Sequence, residues 1–288
     1  MHTISLTQAR ELPFWRRPVT LLFVMAAAMP IAFATWSALL NNFVIEVANF
    51  DGADIGWLHT VREIPGFLAI AVIALIRIMR EQVLGIVSLL LLGVATALTA
   101  WFPSLGGILT ITMLSSIGFH YYETVNQSLQ LQWLPKDRAP KVLGWMLATG
   151  SAATLLAYGL IVTTWRAFDL DYNTVYMTAG LTTAVVAILC LTLYPQFESP
   201  TPQVKKFVLR RRYWLYYALE FLMGSRRHIF TTFAVLLLVR KYNVPAQTIT
   251  VLYLVNNLVG TFVYRQFGRI IARFGERRTL TVNFLLLI

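Results

Sequence analysis

Two helical stretches of this chain hold residues that membrane-grade apolar segments rarely contain. His120, Glu123, Asn126, Gln127 and Gln130 lie in one, and Glu220, Gly224, Arg226, Arg227 and His228 in the other. At 100° per residue, Glu123, Gln127 and Gln130 share one stripe, with His120 one turn above Glu123. A carboxyl in a low-dielectric setting has its pKa raised, so it can take up and release a proton near physiological pH. Glu123, with His120 beside it, is therefore the proton-coupling candidate, and Asn126, Gln127 and Gln130 are candidate solute ligands. The competing reading of the same face is an interhelical hydrogen-bond network that only packs helices. In the second stretch, Glu220 shares a face with Arg227 and is a gate or ion-pair candidate. One glutamate cannot neutralise two adjacent arginines. The surplus guanidinium matches a carboxylate or phosphate, so Arg226 and Arg227 are candidate ligands for an anionic solute. The competing reading has these arginines snorkelling at an interface, but the run from Ile229 to Val239 is too short to span a bilayer alone.

A third group opens the second apolar stretch: His59, Arg62, Glu63 and Gly66. Adjacent opposite charges near a helix end suggest an ion pair or gate latch. Asn41 and Asn42 in the first stretch, and Asn256 and Asn257 in the eighth, are further polar groups of the kind that line cavities. Trp36 and Tyr253 accompany them. Of the amides, Asn41, Asn256 and Asn257 are counted among the solute-binding candidates.

The elements that must position these residues are membrane helices. The chain has 288 residues, 57% of them hydrophobic, and a mean hydropathy of +0.64; roughly 45–50% apolar is usual for a soluble domain. Apolar runs place helices at about 19–46, 56–78, 83–101, 105–133, 140–164, 173–194, 212–239 and 246–264, with a ninth starting near Thr279. Each approaches the ~20 residues that cross ~30 Å of hydrocarbon. A charge at bilayer depth costs at least ~2.5–3.5 kcal/mol, so those retained there usually face a protein interior or a watery path. The ninth run breaks off at Ile288, which reads as truncation within that helix.

The net charge of +11 is a matter of topology. With the N-terminus on the cytoplasmic side, eighteen of the 24 lysines and arginines fall on inner segments, as the positive-inside rule expects. The charges are scattered over short loops, which argues against a nucleic-acid face and for contact with anionic lipid. Cys190 is the only cysteine, so neither a disulfide nor a thiolate metal site is expected. No nucleophile constellation, phosphate-cradling glycine loop or metal spacing appears, so an enzyme is not expected. Nor are a metal or any cofactor. The segment from Pro195 to Arg212, with Pro200, Pro202, Lys205, Lys206 and Arg210 to Arg212, separates six helices from those that follow.

The stretch Gly268-Arg269-Ile270-Ile271-Ala272-Arg273-Phe274-Gly275-Glu276-Arg277-Arg278, placed in the short loop after helix eight, resembles the glycine-and-arginine loop of the major facilitator superfamily. Gly268, Ile270, Arg273, Gly275 and Arg277 match that pattern. Ala272 stands where the family usually has an acid, and Glu276 where it usually has a base. The equivalent loop after helix two, Arg77 to Gln82, retains little of it. The resemblance implies an all-α, two-bundle secondary transporter (MFS) in which Gly268, Arg273, Gly275 and Arg277 form a conformational loop.

The expected organisation is a cytoplasmic segment at 1–18, a six-helix bundle at 19–194, a basic linker at 195–211 and the start of a second bundle at 212–288. The expected function is movement of a small solute, an organic anion among the candidates, by alternating access with proton coupling. The expected setting is a bacterial inner membrane, as a monomer. The reading from another class is a non-transporting receptor or assembly factor on the same scaffold.

Overall fold

The computed structural model describes residues 3–135, 138–199, 210–228 and 234–285; side chains at 140, 141, 220, 223–228, 261–272, 276, 280, 283 and 284 lie outside the description. The chain is helical almost throughout. Its helices are α1 (Pro18–Glu46), α2 (Gly52–Phe67), α3 (Val72–Ile78), α4 (Glu81–Leu98), α5 (Leu105–Trp133), α6 (Ala139–Thr164), α7 (Tyr172–Leu193), α8 (Trp214–His228), α9 (Val235–Tyr242), α10 (Ala246–Phe274) and α11 (Glu276–Leu285). One short parallel pairing joins β1 (Thr3–Ile4) to β2 (Gln196–Phe197).

By length and hydropathy alone, four of the described spans suffice to cross a membrane: Pro18–Glu46, Glu81–Trp101, Val142–Thr164 and Tyr172–Leu193. The remaining long helices carry the polar residues singled out above. That is the composition expected of helices that face a cavity rather than lipid. α1 packs on α6 and α7, α4 on α5 and α7, and α2 on α5, while α10 lies against α6 and α1. Close approach at two of these seams depends on glycine. A Cβ at Gly118 of α5 would stand 2.6 Å from the Leu92 backbone nitrogen, and one at Gly93 of α4 would stand 2.7 Å from that of Ala184. Small residues let membrane helices gain their packing energy backbone to backbone.

Helix two departs from the expected 56–78 in two ways. It starts at Gly52 because Asp51 caps it: the Asp51 carboxylate accepts from the backbone N–H groups of Ala53 (2.8 Å) and Asp54 (2.9 Å), and Asp54 returns the favour to the Asp51 N–H (3.1 Å). This is a capping box that satisfies orphan donors of the first turn. It also breaks after Pro65, where residues Leu68–Ala71 tighten into a 3-10 turn before α3, since proline removes a backbone donor and crowds the preceding turn.

The cap has a pH signature. The backbone donors at Asp54 and Ala53 hold the Asp51 carboxyl below the usual carboxylate range. A depressed folded-state pKa contributes stability above the unfolded pKa, and that contribution is lost as pH falls through the folded value. Asp51→Ala is therefore expected to lower the melting temperature modestly at pH 7, with the gap from the unaltered protein narrowing as the pH is taken below the ordinary carboxylate value of about 3.9. Paired thermal melts on either side of that value check this.

The structure also corrects the end of helix eight. The stretch Gly268 to Phe274 is not loop but the last two turns of α10, which runs for 29 residues, about 43 Å at 1.5 Å per residue. Only Gly275 breaks it, at φ +81°, a left-handed conformation glycine adopts without penalty. The run of arginine, isoleucine and alanine before it has good helix propensity, so the chain has no local reason to unwind at Gly268. α11 follows at once from Glu276, three residues before the expected Thr279.

Residues 195–197 are built onto the ends of the preceding helices. The Gln82 side chain donates to the Pro195 carbonyl (2.9 Å) and accepts from the Phe197 N–H (2.9 Å). Trp133 of α5 meets Phe197 edge-on at 5.4 Å.

Candidate functional site

The polar groups on α5 divide between two cavities instead of sharing one. The first, of about 270 Å³, is lined from α1 by Phe33, Trp36, Ser37, Leu40 and Asn41, and from α2 by His59, Arg62 and Glu63. α5 adds Thr112, Ser115, Ser116, Phe119 and His120, and Tyr158 of α6 and Tyr253 of α10 complete it. The second, of about 510 Å³, lies toward the end where α1 begins, between α1, α5 and α6. It is lined by Glu123, Asn126, Gln127 and Gln130 together with Tyr122, Met29, Pro30 and Thr154, among others. His120 and Glu123, expected to act side by side, thus face different spaces. Three residues along a helix leave a net offset of only about 60°, so the two side chains are separated mainly along the α5 axis, His120 lining the cavity on the Thr112 side and Glu123 the one on the Gln130 side.

In the first cavity, Arg62 Nε lies 2.8 Å from Glu63 Oε1, with both side chains largely shielded. Side chains at successive helix positions ordinarily diverge, so this pair forms by the arginine folding back. Its guanidinium also stands 5.9 Å from the Trp36 ring centre, in cation–π range. The Ser116 hydroxyl donates to the Arg62 carbonyl, which ties α5 to α2. The walls are aromatic: Phe33 stacks on Phe119 at 4.3 Å, Phe119 meets His120 edge-on at 5.1 Å, and Tyr158 stacks on Tyr253 at 5.9 Å. Gly66 makes room for His120, since a Cβ there would sit 3.1 Å from its imidazole Cε1. The expected ion pair is present, but it lines the cavity rather than latching a helix end.

Three buried polar atoms of this lining make no hydrogen bond within the described structure: Trp36 Nε1, Asn41 Oδ1 and Thr112 Oγ1. In the second cavity the Tyr122 hydroxyl and Asn126 Oδ1 are in the same condition. Asn126 is buried, Glu123 and Gln130 are half-buried, and Gln127 is exposed.

Asn42 does something different from its neighbour. It is fully buried, and its amide donates to Glu46 (2.8 Å) and to the Val244 carbonyl (2.9 Å), while Glu46 also accepts from the Tyr172 hydroxyl (2.7 Å). Gln247 of α10 donates to the Val162 carbonyl of α6 at 2.8 Å. These bonds bind the start of α10 to the finishing ends of α1 and α6, and so cover the first cavity on that side.

Several expected residues do not join either lining. Asn256 is exposed and Asn257 half-buried; α10 contributes Tyr253 to the first cavity instead, one turn earlier. Arg226, Arg227 and Glu220 sit on α8, and Gly268 on α10, with their side chains outside the described set. Arg273, Gly275 and Arg277 are exposed at the junction of α10 and α11. In the first cavity, sequence reasoning missed Phe33, Ser37, Leu40, Thr112, Ser115, Ser116, Phe119 and Tyr158. Part of the signal was available: Thr112, Ser115, Ser116 and Phe119 recur at three- and four-residue spacing, one face of α5 continuing upward from His120.

A family model of the Major Facilitator Superfamily matches residues 14–288. Among solved structures, a point mutant of the nucleoside transporter NupG matches with a TM-score of 0.72 at 12% identity, covering 90% of this chain and 69% of that one. NupG itself matches with a TM-score of 0.69 at 14% identity, covering 90% and 68%. No curated protein matches the sequence.

Proposed function

The chain belongs to the Major Facilitator Superfamily, and from that premise we propose that it moves a small solute by alternating access, coupled to protons through Glu123. Its membership makes it a multi-pass membrane protein and a secondary transporter, not an enzyme. The observation that carries the coupling proposal is the place of Glu123. It faces a cavity of about 510 Å³ among Asn126, Gln127 and Gln130, next along α5 from the aromatic cavity that holds Arg62 and Glu63. A titratable acid beside, rather than inside, a solute-sized space can change charge as the bundles rock without displacing the solute.

In this reading residues 19–194 form the first bundle, 195–211 the linker and 212–288 the start of the second. The protein works as a monomer in a bacterial inner membrane with its N-terminus in the cytoplasm, bound to lipid and to no nucleic acid. Arg273, Gly275 and Arg277, with Gly268, act at the bend between α10 and α11, where one glycine sets the angle between two helices. The expected organic-anion specificity rested on Arg226 and Arg227. The better-supported site is the first cavity, whose guanidinium is already paired with Glu63, and this favours an uncharged solute.

The test is proton movement in vesicles containing the full chain, read by a pH-sensitive dye across a panel of uncharged and anionic solutes. Glu123→Gln is expected to reduce solute-driven proton movement to the level of empty vesicles, while exchange of labelled solute continues. Undiminished proton movement in that variant would remove Glu123 from the mechanism. Folded protein that moves no solute under any gradient would restore the receptor reading.

A further inference from the structure

We propose that the first cavity binds an uncharged solute built on a flat ring and carrying both a hydrogen-bond donor and an acceptor, and that Asn41 and Trp36 select it. This rests on the transporter reading above and names the class of solute.

The shape of the lining excludes other classes in turn. Two stacked aromatic pairs, Phe33–Phe119 and Tyr158–Tyr253, together with the Trp36 indole, make most of the apolar part of the wall. Such walls reward a flat ring, because aromatic contacts add attraction beyond simple burial. An anion would meet a guanidinium whose charge is already balanced at 2.8 Å by Glu63, and would face that carboxylate as well. A cation would compete with Arg62 for the Trp36 face it already covers. A wholly apolar solute would leave three buried polar atoms without partners, each a desolvation loss.

Those three atoms define the complement. Trp36, Asn41 and Thr112 are 2%, 5% and 1% exposed, and each lines the cavity with a polar atom that makes no hydrogen bond within the described structure. The indole N–H can only donate, the Asn41 carbonyl oxygen can only accept, and the Thr112 hydroxyl can do either. A solute that satisfies all three must present at least one acceptor and one donor. A volume of about 270 Å³ falls just under the ~300–1,000 Å³ of pockets for drug-sized ligands, which suits a metabolite of one or two rings. Tyr253 alone among the lining residues comes from α10, so the bound ring would touch both halves of the transporter and its occupancy would register their relative position.

The experiment is equilibrium binding to the full chain in detergent. Three uncharged ring compounds serve as probes (uridine, adenosine and nicotinamide), against glucose as an uncharged compound without a flat ring, and benzoate and uridine monophosphate as ring-bearing anions. Saturable binding is expected for at least one of the first three and for none of the others. Asn41→Ala should weaken that binding by about ten- to hundred-fold, because it removes the acceptor for a buried donor. Trp36→Phe keeps a six-membered aromatic ring but removes the N–H together with the five-membered ring, so it should weaken binding of the ring probes generally and most for those with a ring acceptor. Should Asn41→Ala fail to fold, Trp36→Phe and the selectivity of the unaltered chain still decide the matter. Benzoate, uridine monophosphate or glucose binding as tightly as the ring compounds would overturn the proposal, as would full affinity in both variants. If none of the three ring probes binds while another solute drives proton movement, this inference falls and the transporter reading stands. If nothing binds and nothing drives protons, both fall.

Discussion

Replacing Glu63 by glutamine is expected to lower transport of an uncharged solute by about ten- to hundred-fold and to let organic anions compete for the site. Glu63 and Arg62 face the same aromatic cavity with 2.8 Å between Nε and Oε1. Removing one member of a shielded ion pair leaves a charge whose desolvation is no longer offset, and fully buried pairs broken this way cost ~3–5 kcal/mol. The side chains here retain 21% and 30% exposure, so the cost is smaller than that limit, but the guanidinium would draw any available carboxylate into the space meant for the solute. Removing both charges, Arg62→Ala with Glu63→Ala, should therefore be milder for uncharged solutes than Glu63→Gln alone and should not admit anions. Uptake of a labelled uncharged solute into vesicles, with and without benzoate as competitor, separates these cases. A double variant that transports worse than Glu63→Gln, or a Glu63→Gln protein indifferent to benzoate, would show that the pair does not set the charge of the cavity.

That expectation comes from a place the sequence marks only in part. Arg62 and Glu63 are adjacent in an otherwise apolar stretch, so an ion pair there is legible from spacing alone. What spacing cannot say is which space the pair faces. It depends on α2 starting at the Asp51 cap and bending after Pro65, and on α5 lying close enough for Ser116 to bond the Arg62 carbonyl. The stripe of Glu123, Gln127 and Gln130 was legible for the opposite reason, since helical period is a local property, and all three do line one cavity. His120 was assigned to the same site because one turn of helix looks like proximity. Along α5 one cavity gives way to the other between His120 and Glu123, and helical period alone does not mark where that boundary falls. The aromatic wall is legible only in part: Trp36 and Tyr253 stand out beside the asparagines, but Phe33, Phe119 and Tyr158 come from α1, α5 and α6, and an aromatic in a membrane segment usually signals packing or an interface belt. The all-helical class and the family were legible because they rest on hydropathy and on the Gly275-centred motif. The motif's conformation was not, because the arginines that match it are also good helix formers.

Gly118→Leu is expected to lower the melting temperature by at least several degrees, because of how closely α5 approaches α4 at this position. A Cβ at Gly118 would stand 2.6 Å from Leu92 N and 2.7 Å from Ser88 O, both backbone atoms of α4. Neither can yield by a rotamer change, so the helices must separate. Overpacking a core ordinarily costs ~1–3 kcal/mol, and displacing a whole helix seam should lie at or above that range, a loss of at least several degrees in melting temperature. Because α5 also carries Thr112, Ser115, Ser116, Phe119 and Glu123, moving it relative to α4 would disturb the lining of both cavities. Gly144 on α6 provides the contrast: nothing lies within 4 Å of a Cβ built there, so Gly144→Ala should leave the melting temperature unchanged or raise it slightly through helix propensity. Melting curves in detergent for Gly118→Ala, Gly118→Leu and Gly144→Ala should therefore fall in the order Gly144→Ala highest, Gly118→Ala lower and Gly118→Leu lowest. A Gly118→Leu protein that melts with the unaltered chain would mean that α4 and α5 do not meet backbone to backbone.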